Sequence, residues 1–226
     1  MKIAILGNGK MGKIISSIAK NRGHEIVVTT SSKESIKYVD LKGVDVAIEF
    51  STPESAFKNI VHAIQKGVPV VSGTTGWLNN MSKVKDLCLK KNGAFLYSSN
   101  FSIGMNIFFE ANNLLTKLTK NKKYTININE VHHTEKLDSP SGTALKIKQN
   151  ISKLIGINAE IASKRIDGEF GTHIVHFDSD EDQIEIIHKA KNRDGFAKGA
   201  IYASEWIVGK KGVFSLSDVI KLADDV

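Results

Sequence analysis

One cysteine in 226 residues leaves this chain without an internal disulfide framework. Cys88 stands between Leu87 and Leu89, a setting for packing rather than for a reactive thiol, and a single cysteine fits a reducing cytoplasm. No apolar run approaches the roughly 18 residues that a spanning helix needs, so no membrane segment is expected. The opening segment Lys2 to Leu6 is too short for a secretory apolar region, and no small-residue cleavage site follows it, so a cytoplasmic location is expected. Internal repeats and low-complexity stretches are also lacking. The formal charge of +7 and pI near 9.3 could point to nucleic acid, but the lysines are scattered and no element gathers basic with aromatic residues. A diffuse basic field suits small anions instead.

The remaining composition, 41% hydrophobic, supports a substantial core in one large or two small domains. The apolar run Lys2 to Leu6 leads into Gly7-Asn8-Gly9-Lys10-Met11-Gly12 and then into the helical spacing of Ile14, Ile15, Ile18 and Ala19. GxGxxG between a strand and a helix is the dinucleotide-binding arrangement: Gly7 for the tight turn, Gly9 for approach of a pyrophosphate, Gly12 for close helix packing. Further strands are expected over 25–30, 45–50, 68–72 and 94–98 with helices between several of them, which is the alternation of a doubly wound parallel sheet. Ligands of such sheets lie beyond the carboxyl ends of the strands. There the chain reads Phe50 to Pro53, Gly73-Thr74-Thr75-Gly76 and Ser98-Ser99-Asn100-Phe101, rich in small residues and hydroxyls. After the second strand no carboxylate precedes Glu34. Ser31, Ser32 and Lys33 stand where an NAD enzyme would place its ribose-binding acid, and they favour NADPH with NADH still usable.

The stretch Glu130 to Ala144, EVHHTEKLDSPSGTA, concentrates chemistry. Tyr124 to Asn129 alternates as a half-buried strand, with the histidines expected just past its end. Asp138 or Ser139 is expected to cap a helix, Pro140 to occupy its first position, and Ala144, Ile147, Ile151 and Leu154 to recur on one face. Gly142 and Thr143 then fall in the first turn, where free amides and the helix dipole favour an anion. His132 titrates near neutrality, and Lys136 brings a fixed positive charge and a transferable proton. Separately these are solvated histidines and an ordinary helix start; together they suit a small acidic substrate that must be protonated. A helix carrying Ile107, Ala111, Leu114, Leu115 and Leu118 on one face precedes them. His173, His176 and His188 fall on expected strands. With no cysteine or carboxylate at ligand spacing they read as structural or subunit-contact residues, and no metal is expected.

These motifs closely resemble the 4-hydroxy-tetrahydrodipicolinate reductase (dihydrodipicolinate reductase) family, nearly end to end. The likeness takes in the glycine turn, Gly73 to Gly76, Ser99 to Gly104, the HHxxKxDxPSGT arrangement from His132, and Ile187 to Arg193 with Phe196 and Gly199. The resemblance implies a Rossmann-type α/β domain over 1–101 plus 199–226, and an α+β substrate and oligomerisation domain over 102–198. It places the general acid on His132, a second proton donor on Lys136, substrate binding on His133 and carboxylate binding on Gly142 and Thr143. It implies cofactor contacts from Gly7 through Gly12, at Gly73, Thr74 and Thr75, and from Ser98 through Phe101. A small dicarboxylate substrate, a homotetramer and closure of the two domains are implied as well. The glycine turn is one residue shorter than the commonest family form, and the cofactor-selecting acid is absent. Another two-domain NAD(P)-dependent imine or amino-acid dehydrogenase would share the fold, but the central motif argues against it.

Overall fold

The computed structural model describes residues 1–31, 35–192 and 194–220, and the chain divides into two compact units: Met1–Ile103 with Asp194–Val226, and Gly104–Arg193. In chain order the first stretch holds β1 (Lys2–Leu6), α1 (Lys10–Asn21), β2 (Glu25–Thr30), β3 (Val46–Glu49), α2 (Pro53–Gln65), β4 (Val70–Ser72), α3 (Met81–Lys90) and β5 (Ala94–Tyr97). The second unit follows with α4 (Ile103–Leu118), β6 (Thr125–His132), α5 (Gly142–Ile155), β7 (Glu160–Arg165), β8 (Thr172–Asp178) and β9 (Gln183–Lys189). The chain then returns to the first unit through α6 (Asp194–Ile207), β10 (Gly212–Ser215) and α7 (Leu216–Ile220). Among the described residues no helix is long and apolar enough to cross a membrane.

The first sheet is wholly parallel in the order β10-β5-β4-β3-β1-β2. Its central strands are apolar on both faces because helices cover both. Ile3, Ile5 and Ile48 pack in one core with Ile15 of α1 and Ala200 of α6, while Ala4, Leu6 and Ala47 pack in another with Ile60 of α2 and Val84 of α3. Each fully buried Ile or Leu contributes about 1.5–3 kcal/mol, so strand alternation alone fixes which residue meets which layer. Cys88 of α3 is buried in the second of these cores. Strand order reverses between β1 and β3, which makes the loops after β1, β2 and β3 neighbours at the switch point.

The second sheet is mixed, in the order β7-β6-β8-β9, with β6 parallel to β7 and antiparallel to β8. One face carries Ile126, Ile128, Val175 and Phe177 against Phe108 and Phe109 of α4 and Ile147 and Ile151 of α5. The opposite face is mixed, with Asn127, Asn129, His176 and Glu185 among Val131, Ile174 and Ile187. The expected face of α4 is corrected. Ile107, Leu114 and Leu118 are exposed, and the helix buries Met105, Phe108, Phe109 and Asn112 instead. Both stripes have helical spacing, and the two phenylalanines remove more apolar surface from water than the leucines would. Strand β7 was not anticipated, because its half-exposed sequence EIASKR gives an edge strand little apolar signal.

Candidate active site

At the switch point, the loops after β1, β2 and β3 line a cavity of about 350 Å³ with Gly7, Asn8, Gly9, Lys13, Thr30, Ser31, Ser51, Thr52 and Asn59 among its walls. Gly7 has φ of +117°, and a Cβ there would lie 2.2 Å from the Phe50 carbonyl oxygen. Gly12, buried in α1, would bring a Cβ to 2.0 Å from the Gly7 carbonyl oxygen. Only glycine lets strand, turn and helix approach this closely. Of the other residues in the turn, Asn8 and Gly9 face the cavity, Lys10 is exposed, and Met11 packs against the core; Lys13, one turn further on, reaches the cavity. Ser31 lines it too, whereas Ser32 and Lys33 lie outside the described residues.

The loops after β4 and β5 lie at the next strand ends. Glu49, the buried last residue of β3, ties the loop after its own strand to β4 and the loop after it: its carboxylate accepts from the Ser51 amide at 3.1 Å, the Ser51 hydroxyl, the Thr74 hydroxyl at 3.0 Å and the Ser72 hydroxyl at 2.7 Å. Burial raises its pKa above the ordinary carboxylate value, and these hydroxyls pull against that rise. Thr74 also accepts from the Ser51 amide and holds the Trp77 indole through its carbonyl. Gly73 donates its amide to the Glu49 carbonyl, while Thr75 is exposed. In the last loop the Ser98 amide donates to Ser72, the Asn100 side chain accepts from the Ser102 amide, Ser99 is exposed, and Phe101 is buried 5.6 Å from the Phe50 ring.

In the second unit the inward face of β6 begins apolar, with Ile126 and Ile128, and ends ionisable, with Glu130 and His132. Strand register completes a cluster: Glu130 pairs with His173 of β8, and His132 with Arg165 of β7. His132 Nε2 lies 3.3 Å from Glu130 Oε2 and 3.3 Å from His173 Nε2. The other Glu130 oxygen accepts from the Ser141 amide at 3.0 Å and faces Arg165 at 3.4 Å. Burial lowers the pKa of His132, and the Glu130 carboxylate counters it. Glu130 itself stays below the ordinary carboxylate value, because hydrogen bonds from Ser141 and the neighbouring charge outweigh its desolvation. His132 is thus the last residue of its strand rather than part of the following loop, and only His133 lies beyond it.

The helix start is corrected as well. Ser141 is the N-cap, its hydroxyl accepting from the Ala144 amide at 3.1 Å, and Pro140 lies outside the helix. Ser141 wins over Asp138 and Ser139 because its amide is also anchored by buried Glu130. Gly142 and Thr143 open α5 as expected. Asp138 has another role: its carboxylate takes the Lys136 ammonium at 2.7 Å and a hydrogen bond from the Gly142 backbone, which together hold its pKa low. Arg165 donates to the carbonyls of Lys136 and Asp138 and so fastens this loop to the sheet.

A family model for the N-terminus of dihydrodipicolinate reductase matches residues 1–101, and one for its C-terminus matches residues 104–220. The chain belongs to the dihydrodipicolinate reductase family. It is 45% identical to the 4-hydroxy-tetrahydrodipicolinate reductase of Christiangramia forsetii, over 97% of this chain and 98% of that one. It is 36% identical to the enzyme of that name from Thermosipho africanus, over 99% of both. The dipicolinate-bound dihydrodipicolinate reductase from Paenisporosarcina sp. TG-14 shares the fold, with a TM-score of 0.81 at 21% identity, covering 97% of this chain and all of that one. An amine dehydrogenase from Mycobacterium smegmatis shares it more loosely, with a TM-score of 0.67 at 8% identity, covering 100% of this chain and 97% of that one. The segment that the N-terminal model matches, residues 1–101, is the nicotinamide-dinucleotide-binding part of this reductase family. Glu49, Glu130, Arg165 and His173 are the residues the sequence reading missed at the two sites. His173 in particular, read from sequence as structural, touches His132.

Proposed function

We propose that this chain reduces 4-hydroxy-tetrahydrodipicolinate to tetrahydrodipicolinate with a nicotinamide cofactor, the reductive step toward diaminopimelate and lysine. The observation that carries the reading is a buried imidazole, His132, set against the Glu130 carboxylate in a sheet whose next loop delivers Lys136 and the N-terminus of α5. A dinucleotide suits the first unit, since the turn at Gly7 and Gly12 has no room for side chains while nothing stands within 4 Å of the Cβ position of Gly9. When bound, the cofactor supplies a hydride from C4 of its nicotinamide.

Loss of water from the hydroxylated ring gives a conjugated cyclic imine diacid, and hydride addition to it leaves an electron pair that must take a proton. His132 supplies that proton, and Glu130 stabilises the imidazolium until transfer. Lys136 and the first-turn amides of Gly142 and Thr143 suit a substrate carboxylate, His133 contributes to the same binding surface, and Lys136 is a second proton donor. Ser31 at the cavity wall, with Ser32 and Lys33 next in the sequence, favours NADPH over NADH by roughly tenfold in kcat/KM. A homotetramer built on the second sheet completes the reading, and light scattering checks it.

The experiment couples the purified protein to the upstream synthase with pyruvate and aspartate semialdehyde and follows NADPH oxidation. His132→Gln should lower kcat by about 10²-fold or more while NADPH affinity holds. Turnover close to wild type would remove His132 from the mechanism, and no turnover by the wild-type protein would remove the reaction.

A further inference from the structure

We propose that Glu130, His132 and His173 form a binding site for a divalent transition ion of the zinc class, and that filling it withdraws His132 from proton transfer. The two imidazole Nε2 atoms are 3.3 Å apart, and Glu130 Oε2 lies 3.3 Å from the first and 3.8 Å from the second. The point equidistant from the corners of such a triangle is about 2.0 Å from each, the bond length zinc makes to imidazole nitrogen and carboxylate oxygen. Two imidazoles and a carboxylate with a fourth position for water form a ligand set typical of zinc.

Glu130 Oε2 is buried yet accepts no hydrogen bond. Two imidazole nitrogens face a buried carboxylate oxygen that no donor reaches, with the Ser141 hydroxyl 3.4 Å from His173 Nε2, an arrangement that a cation relieves. The ligands are held in place from behind: Ser141 and Arg165 fix the other Glu130 oxygen, and strand register sets His173 opposite Glu130. The expectation of no metal rested on spacing along the chain, whereas these ligands come from β6 and β8 and converge only through register.

Binding stands on the triad alone; only its effect on turnover rests on the proposed role of His132. The test strips the purified full-length protein with a chelator, then titrates Zn²⁺ by calorimetry and Co²⁺ by visible absorption. One ion per chain is expected, with the intense visible band of four-coordinate cobalt. Zn²⁺ should inhibit the reductase in step with occupancy and lose its hold as pH falls below the histidine range, because protons compete for the imidazoles. His173→Asn and Glu130→Gln, checked for folding by thermal unfolding, should each weaken Zn²⁺ binding at least tenfold. His176→Asn, which removes the imidazole paired with Glu185 on the other face of the sheet, should leave it unchanged. Absence of stoichiometric binding of both ions to the wild-type protein overturns the site whatever the variants do, and so does affinity that survives both triad substitutions. Occupancy with full turnover overturns the inhibitory role, and the His132→Gln kinetics then decide separately whether His132 is the acid.

Discussion

Acidification should destabilise the folded protein through one buried histidine. His173 is 4% exposed on β8, and burial, followed by the charge of His132, brings its pKa from 6.5 to about 4. Between those values the unfolded chain binds a proton that the folded chain refuses. Its contribution to stability is therefore complete above pH 6.5 and lost progressively as pH falls toward 4. With about 1.36 kcal/mol per pKa unit, this group removes about 1.4 kcal/mol by about pH 5.5 and about 2.6 kcal/mol by about pH 4.5. Against a typical total of about 5–15 kcal/mol, that loss is large enough to measure. The assay is urea unfolding of the wild type and His173→Asn by circular dichroism at about pH 7.5, 5.5 and 4.5. Glu130, whose folded pKa is depressed, contributes stability present above its unfolded value of 4.5 and lost below it. That loss occurs in both proteins, and His132, whose lowered pKa adds a loss of the same sign, is also present in both, so the difference between them reports His173 together with its coupling to His132. Parallel pH dependence in the two would refute the account, because it would mean that His173 is as easily protonated folded as unfolded.

Gly12→Ala forces a Cβ to 2.0 Å from the backbone oxygen of Gly7, so α1 must shift. A loss of about 1–3 kcal/mol in stability is expected by thermal unfolding, with at least tenfold weaker NADPH binding by fluorescence; an unchanged affinity would show that the turn does not set the cofactor site. Glu49→Gln leaves buried hydroxyl donors short of an acceptor, a cost of about 1–3 kcal/mol, and should weaken NADPH binding more than it changes the substrate KM. If NADPH titration shows no change, Glu49 does not order the cofactor loops. Asp138→Asn removes the carboxylate that holds Lys136 and should lower the substrate KM by about two- to fivefold, the scale of a screened surface pair. A raised KM in steady-state kinetics would instead make Asp138 the residue that positions Lys136.

The first unit was readable almost in full, because a parallel sheet writes itself into sequence. Strands buried on both faces are short apolar runs, each followed by a small-residue turn and a helix, and β1, β2, β3 and β5 match their expected runs to within a residue at either end. The second unit was less legible where two periodicities competed. In α4 the stripe through Leu114 and Leu118 is as regular as the one through Phe108 and Phe109, and only the sheet decides which of them is buried. β7 could not be seen at all, since an edge strand with one solvated face carries alternation too weak to stand apart from a loop.

The site divides along the same line. His132, Lys136, Gly142 and Thr143 were visible because one short segment carries them all, and a linear reading detects only what lies close in the chain. Glu130 lay inside that segment and was still passed over, since a carboxylate on a strand is ordinarily solvent-facing. Its parity held the missing signal. Ile126 and Ile128 point inward, so Glu130 and His132, two and four residues beyond Ile128, must point inward as well. A buried carboxylate needs partners, and β6 alone cannot supply them; they have to come from the elements packed against it. The Ser141 amide at the start of α5 is one, and Arg165 and His173 are two more, each brought into place by register. An inward-facing row that changes from apolar to ionisable part-way along a strand therefore marks where a core ends and a site begins, before any neighbouring strand is known.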